Sequence, residues 1–172
     1  PGFGGFGIGY LGDDRNSDNM VYEDYDVRLA GYKTVSGNAN DAGWKWEDIR
    51  SVNYMLANLG NLESSFDESK AYIGEAYFFR SYFYYSLLQN FGDLPWVNKP
   101  YDTESEDLYN PRISRNIIVD SMLVDLDKAI DYMPEKANVV EGRLSKEAAL
   151  LFKSRVALYE ACLLYTSPSP RD

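Results

Sequence analysis

The chain has 172 residues, of which 45% are apolar and 15% are aromatic, and it contains a single cysteine and no histidine. Its 27 acidic and 17 basic residues give a net charge of −10, which argues against a nucleic-acid surface. The absence of histidine excludes a Ser-His-Asp or Cys-His nucleophile and the usual Cys/His zinc sites. The length suits one domain or part of a larger one, and the apolar fraction is sufficient for a packed core.

Residues 1–43 carry no helical or strand periodicity and are predicted to form an irregular, loop-rich segment. The chain begins at Pro1 without an initiator Met or an apolar leader, which indicates an internal fragment. Gly7–Gly12 matches the G-x-G-x-x-G dinucleotide fingerprint, but that motif needs a strand before it and a helix after it. Because Asp13 and Asp14 follow directly, where phosphate would lie, we interpret the motif as a glycine-rich loop and expect no cofactor.

Asp14–Asp18 has the alternating oxygen ligands that open a calcium-binding loop. An EF-hand requires glycine at the sixth position and glutamate at the twelfth. This chain has Asn19 and Tyr25 there, so the EF-hand is excluded and a solvated turn is favoured over an irregular calcium site. No metal site is therefore predicted.

A second acidic group, Glu23, Asp24 and Asp26, could supply the carboxylate pair of a glycoside hydrolase. Acidic residues are abundant throughout the chain, and closeness in sequence does not ensure the required separation across a sugar. A charged surface segment is the favoured interpretation, and no catalytic residue is predicted.

Aromatic residues outside the helices are the most informative feature of this region. Rings beside Asp, Asn and Arg can stack on the apolar face of a sugar while polar neighbours bind its hydroxyl groups. We therefore predict ligand contacts from four residues, although each could instead pack the loop onto the helices: Tyr22, Tyr25, Tyr32 and Trp44.

The first two helices follow from apolar spacing. A stripe at intervals of three and four predicts a helix over Trp44–Leu59, formed by Trp46, Ile49, Val52, Leu56 and Leu59. A longer helix is predicted over Asp67–Phe91, with Ser64 or Ser65 as N-cap and Gly92 as its end. Because aromatic residues occupy most of its circumference, this helix must be covered on more than one side.

Two further helices complete the predicted fold. The third spans Ser114–Met133, with a buried face of Ile118, Met122, Leu126, Ala129, Ile130 and Met133. The fourth opens at Leu144–Ser145, and its pattern consists of Ala148, Leu151, Phe152, Arg155 and Tyr159. Since no strand is evident, the class is all-α, with tetratricopeptide-like stacked helical hairpins.

The last residues, Cys162–Asp172, resemble the translated end of a sequencing adaptor. We interpret them as a non-native tail, the alternative being an exposed native tail. The predicted organisation is thus a loop-rich segment over 1–43, a helical domain over 44–161 and a tail over 162–172.

Three segments carry a resemblance to a known family: WKWEDIRSVNYMLANL, EAYFFRSYFYYSLLQNFGDLPW and GRLSKEAALLFKSRVALYEA. They contain Asn53, Arg80 amid aromatic residues, Phe91–Pro95 at the end of the second helix, and Gly142–Arg143 before the fourth. In this order and spacing, over residues 44–161, the chain resembles the SusD/RagB family of surface-exposed nutrient-binding lipoproteins of Bacteroidota.

The resemblance implies a non-catalytic protein that binds oligosaccharide or another nutrient for a SusC-like TonB-dependent transporter. It also implies an outer-membrane location at the cell surface, through a lipid anchor on an N-terminal Cys that is absent from this chain. Physical reasoning gives Asn53, Arg80 and Gly92 structural roles, since Arg80 can stack on a ring or bind a loop carbonyl. Two alternatives are a helical-repeat protein-interaction module and a carboxylate-based glycoside hydrolase.

Overall fold

The computed structural model describes residues 30–32, 34, 36–38, 43–59 and 65–166. The chain divides into two compact units, Pro1–Ala42 and Gly43–Asp172, and the second contains every helix named below. These helices are α1 (Glu47–Ala57), α2 (Phe66–Phe91), α3 (Arg115–Tyr132) and α4 (Lys146–Thr166), with short 3₁₀ helices at Glu106–Tyr109 and Lys136–Asn138. In the described part of the chain the only extended pairing is an isolated antiparallel bridge, Leu94 to Ile113. The predicted all-α class is confirmed.

The ends of α2 agree with the predicted signals. Ser65 is the N-cap: the Glu68 N–H donates to its hydroxyl at 3.4 Å, and the Ser65 N–H donates to the Glu68 carboxylate at 2.9 Å. This reciprocal arrangement satisfies two amides that the helix itself leaves unpaired. Gly92 ends the helix with a φ of 69°, a backbone conformation that residues with a side chain rarely adopt.

Helix α2 is the centre of the helical unit and packs against α1 and α3. Its other side meets α4 through aromatic rings, with Phe78 and Tyr85 at 5.2 and 5.5 Å from Phe152 between ring centroids. The helix is thus covered on more than one side, as its aromatic circumference predicts, while Tyr72, Phe79 and Tyr82 stay exposed.

A glycine allows α2 and α3 to approach closely. A Cβ atom on Gly74 would lie 2.7 Å from Met133 Cγ and 3.1 Å from Tyr132 Cβ. Helix α3 buries most of the predicted face: Ile118, Met122, Leu126 and Ala129 are fully enclosed, Met133 is nearly so, and Ile130 is half-buried. The two helices form the most extensive contact in the unit.

Two sequence predictions need correction. The first helix begins at Glu47 rather than Trp44, with Trp46 as its N-cap. On α4 the predicted stripe is wrong for Leu151, which is 72% exposed, and for Arg155, which is also exposed. The buried positions are instead Ala149, Val156 and Glu160.

The burial of Glu160 on α4 has an electrostatic cause. The Glu160 carboxylate accepts from Arg115 Nε and Nη2 at 3.0 and 2.7 Å, which draws a charged residue onto the inner face. A search for apolar spacing alone cannot place such a residue inside. The helix also continues to Thr166, into the predicted tail, and the origin of that tail stays a prediction.

Candidate functional site

A buried arginine joins the helices at the polar centre of the unit. Arg80 on α2 donates from Nε and Nη2 to the Asp125 carboxylate on α3, at 2.6 and 2.7 Å. Its Nη1 donates to Asn53 Oδ1 on α1 at 3.0 Å and to the Asn98 carbonyl at 3.3 Å. The guanidinium also lies 5.6 Å from the centroid of the Trp96 ring. Because most of its N–H groups already have protein acceptors, Arg80 is a structural residue with little capacity for a ligand.

The segment after α2 is fixed by side chains from two helices. The Val97 N–H donates to the Tyr84 hydroxyl at 2.6 Å, and Asn53 Nδ2 donates to the Val97 carbonyl at 2.8 Å. Burial raises the pKa of the Tyr84 hydroxyl, while the hydrogen bond from Val97 opposes that rise. The motif residues Asn53 and Arg80 thus hold a loop in place, as the sequence predicts for scaffold positions.

Trp44 lies at the surface of this unit, among other rings. Its ring meets Trp46 and Phe91 edge to face, with centroid separations of 5.2 and 4.8 Å. The Arg112 guanidinium lies over it, 4.6 Å from the centroid, which is within cation–π range. Trp44 is half-buried, whereas Arg112 is exposed.

The backbone beside Arg112 is anchored to the core. The Ile113 N–H donates to the carbonyl of Leu94, a fully buried residue, at 2.9 Å. The Arg115 N–H donates to Asp93 Oδ1 at 2.9 Å. The two ends of the connection between α2 and α3 are therefore tied together next to the Trp44 ring.

The same connection carries an exposed 3₁₀ turn. Lys99 Nζ lies 2.7 Å from Asp107 Oδ2, with side-chain exposures of 62% and 40%. This hydrogen bond holds the pKa of the Asp107 carboxyl below its usual value, and a second from Asn110 acts in the same direction. Tyr109 ends the turn and is 87% exposed.

The four predicted ligand residues fall into different parts of the chain. Tyr22 and Tyr25 lie outside the described residues. Tyr32 follows a turn at Ala30–Gly31 in the first unit and is 72% exposed. Trp44 belongs to the helical unit. Ligand contact by any of them stays a prediction.

The other motifs weighed in the sequence, namely Gly7–Gly12, Asp14–Asp18 and the carboxylates from Glu23 to Asp26, also lie outside the described residues. Within the described ranges, no group of three or more acidic or cysteine side chains is placed to hold a metal ion. Among those same residues, no helix has the length and apolarity needed to cross a membrane.

Sequence reasoning missed Asp125 and Arg112. A signal existed for Asp125, because it is an acidic residue beside the predicted buried positions Met122 and Leu126 on α3. Arg112 offered no such signal: it stands in a polar connection whose path the sequence does not define, so its contact with Trp44 depends on the tertiary structure.

Comparison with known proteins identifies a matching family and relatives that each cover part of the chain. Residues 11–158 match the family model SusD-like_3, described as starch-binding and associating with the outer membrane. The match begins inside the 1–43 segment, before the residues that carry the resemblance in the sequence. "SusD-like protein P2" of Formosa agariphila is 26% identical over 87 residues, which is 51% of this chain and 17% of the relative.

Solved structures of similar proteins agree with this family match. A SusD-like protein from Bacteroides fragilis is 27% identical, with a TM-score of 0.67 over 76% of this chain and 26% of its own. Surface glycan-binding protein A from Bacteroides fluxus is 28% identical, with a TM-score of 0.56 over 66% of this chain and 24% of its own. The chain thus spans about a quarter of these structures and 17% of the curated relative. Its sequence over residues 11–158, together with the helical hairpins described above, shows that the chain belongs to the SusD-like family.

Proposed function

We propose that the protein binds oligosaccharide or another nutrient at the cell surface and does not alter it chemically. The match to a family described as starch-binding, over residues 11–158, carries this proposal. The packing of the helical unit is consistent with it: in the described residues, every buried side-chain nitrogen or oxygen has a hydrogen-bond partner. The polar groups inside the helices therefore hold the scaffold, and recognition is assigned to the loops and the surface.

The proposed location is the outer membrane, and the proposed partner is a SusC-like TonB-dependent transporter that receives the bound nutrient. The family description, which includes association with the outer membrane, supports the location. A lipid anchor on an N-terminal Cys would hold the full-length protein at the surface. Isolation of the protein with such a transporter from detergent-solubilised outer membranes would test both statements.

Ligand contact is proposed for Tyr22, Tyr25, Tyr32 and Trp44. The exposed ring of Tyr32 supports this, because an aromatic face open to solvent can stack on a pyranose ring. A likeness to surface glycan-binding protein A of Bacteroides fluxus, at 28% identity, supports the class of ligand.

Affinity electrophoresis of the intact protein across a panel of soluble glycans tests the proposal. At least one glycan should retard the protein, and Tyr22→Ala, Tyr25→Ala or Tyr32→Ala should each weaken that binding by about 1 kcal/mol or more. Tyr54→Ala is a matched control, because Tyr54 is 64% exposed but lies on α1. If no glycan retards the protein, the proposed ligand class is wrong.

The absence of catalysis has its own measurement. The intact protein should release no reducing ends from any glycan that it binds. Release would favour the carboxylate-based glycoside hydrolase, and substitution of Glu23, Asp24 or Asp26 by the amide would then identify the residues involved.

One observation favours a second function, that of a helical-repeat module for protein or peptide. Helix α4 exposes apolar side chains, with Leu151 and Leu158 at 72% and 66% exposure. Such a module would bind through helix faces. Leu151→Ser with Leu158→Ser should then abolish binding of the partner, whereas oligosaccharide should not compete for it.

A further inference from the structure

We propose that Arg112, held in place by the Trp44 ring, binds the negatively charged group of an acidic saccharide, a carboxylate or a sulfate. This inference rests on the proposed function and specifies its ligand class. It also refines the contact proposed above for Trp44: Trp44 is a positioning residue whose ring supports the guanidinium, and Arg112 contacts the charged group of the ligand.

The first observation is that Arg112 has no acidic partner within the described ranges. Arg80, Arg115 and Arg143 each bind a carboxylate through two nitrogens, on Asp125, Glu160 and Glu75 respectively. Among the described residues, Arg112 forms no ion pair and donates no hydrogen bond, although the chain has ten more acidic than basic residues. Its charge and its N–H donors are therefore available to a ligand.

The second observation is that Arg112 is held in position. Its guanidinium lies 4.6 Å from the centroid of the Trp44 ring, and that ring is itself packed against Trp46 and Phe91. The neighbouring residue Ile113 is bonded to the Leu94 carbonyl. A supported arginine loses less conformational freedom on binding than an arginine in open solvent, which favours affinity.

The third argument comes from the hydrogen-bonding chemistry of the guanidinium group. A guanidinium presents its donors as a planar fork that matches a carboxylate or a sulfate through two parallel hydrogen bonds. A neutral sugar offers hydroxyl groups only, and hydrogen bonds to a charged acceptor are the stronger kind. Arg112 is consequently selective for uronic acids or sulfated sugars over neutral ones.

The experiment compares glycans that differ only in charge. Binding of the intact protein is measured by calorimetry for polygalacturonate and its fully methyl-esterified form, for dextran sulfate and dextran, and for a panel of neutral glycans. We expect at least one charged member to bind more tightly than its neutral counterpart, and the pair concerned distinguishes carboxylate from sulfate. This preference should weaken between about 0.05 M and about 0.5 M NaCl, because salt screens exposed charges.

Substitutions identify the residue. Arg112→Gln should lower affinity for the charged glycan about tenfold or more and leave that for neutral glycans unchanged, and Arg112→Lys should restore only part of it. Arg155→Gln is the matched control, because Arg155 is an exposed arginine on α4 that contacts no aromatic ring among the described residues. The supporting role of the Trp44 ring is tested by Trp44→Leu. When this change is combined with Arg112→Gln, it should cause no further loss of affinity for the charged glycan. Arg112 is exposed, so its own variants test the proposal even if Trp44→Leu does not fold.

Two results overturn the inference while the proposed function stands: binding of neutral glycans alone, or charged-glycan affinity that is the same in Arg112→Gln and in wild type. An equal loss in Arg155→Gln would indicate general charge attraction and would also overturn it. If no glycan of either kind binds, the proposed function fails and the inference fails with it.

Discussion

Arg80 and Arg112 both lie beside a tryptophan ring, at 5.6 Å from Trp96 and 4.6 Å from Trp44, yet their environments are opposite. Arg80 is buried and binds Asp125, Asn53 and a loop carbonyl. Arg112 is exposed, and among the residues that the structure describes its guanidinium contacts the Trp44 ring but no acidic side chain. The comparison shows that arginine beside tryptophan is not in itself a functional signature, because the remaining contacts decide whether the group holds the fold or meets a ligand.

The largest loss of stability is expected for Arg80→Met. Removing the guanidinium leaves the Asp125 carboxylate buried without its partner, which costs about 3–5 kcal/mol of stability. Chemical denaturation followed by circular dichroism should show this loss or the absence of a cooperative transition. Arg112→Met is the matched control, since a cation–π contact at an exposed site contributes about 0.5–1 kcal/mol.

A double variant sharpens this prediction. Arg80→Met with Asp125→Leu removes both charges, so it should be more stable than Arg80→Met alone. A single variant Arg112→Met as unstable as Arg80→Met would contradict the contrast between the two arginines.

A smaller loss of stability is expected at alkaline pH from ionisation of Tyr84, which belongs to the same buried centre as Arg80. Because burial raises its pKa in the folded protein, the hydroxyl ionises first in the unfolded chain. Its contribution to stability is therefore complete below about pH 10 and is lost as the pH rises through the raised pKa of the folded state.

The measurement is thermal denaturation between about pH 8 and about pH 11, with wild type compared to Tyr84→Phe. The variant should be less stable at neutral pH, because it loses the hydrogen bond from the Val97 N–H, and its stability should fall less steeply with pH. Equal slopes in the two proteins would mean that other groups cause the alkaline loss.

The smallest effect is expected at the exposed turn, for Asp107→Asn. Both members of the Lys99–Asp107 pair are largely solvent-accessible, and surface ion pairs contribute little to stability. Since the pKa of Asp107 is lowered, its contribution is present at neutral pH and is lost as the pH falls through that lowered value. Thermal denaturation at neutral pH should give nearly the wild-type midpoint, and a loss as large as that of Tyr84→Phe would contradict this ranking.

Much of the fold is predictable from local chemistry. The cap at Ser65, the end at Gly92 and the buried face of α3 follow from residue type and spacing, because each depends on neighbours within a few turns. The inner face of α4 is not predictable in this way. It contains Glu160, whose burial depends on Arg115, a residue 45 positions away in the sequence.

The candidate site is less predictable than the fold for the same reason. Trp44 could be selected because a ring outside a regular helix has a chemical use that can be recognised in isolation. Its contacts with Phe91 and Arg112 join residues far apart in the sequence, and no local pattern encodes them. The role of a surface ring depends on what touches it, and that is a tertiary property.

The bridge between Leu94 and Ile113 has a consequence for how the surface around Arg112 can respond to a bound anion. Because the main chain next to Arg112 is bonded to a fully enclosed residue, the side chain of Arg112 can reorient more easily than its backbone. Under the proposal made for Arg112, a bound anion would neutralise a surface cation and leave the polypeptide backbone in place.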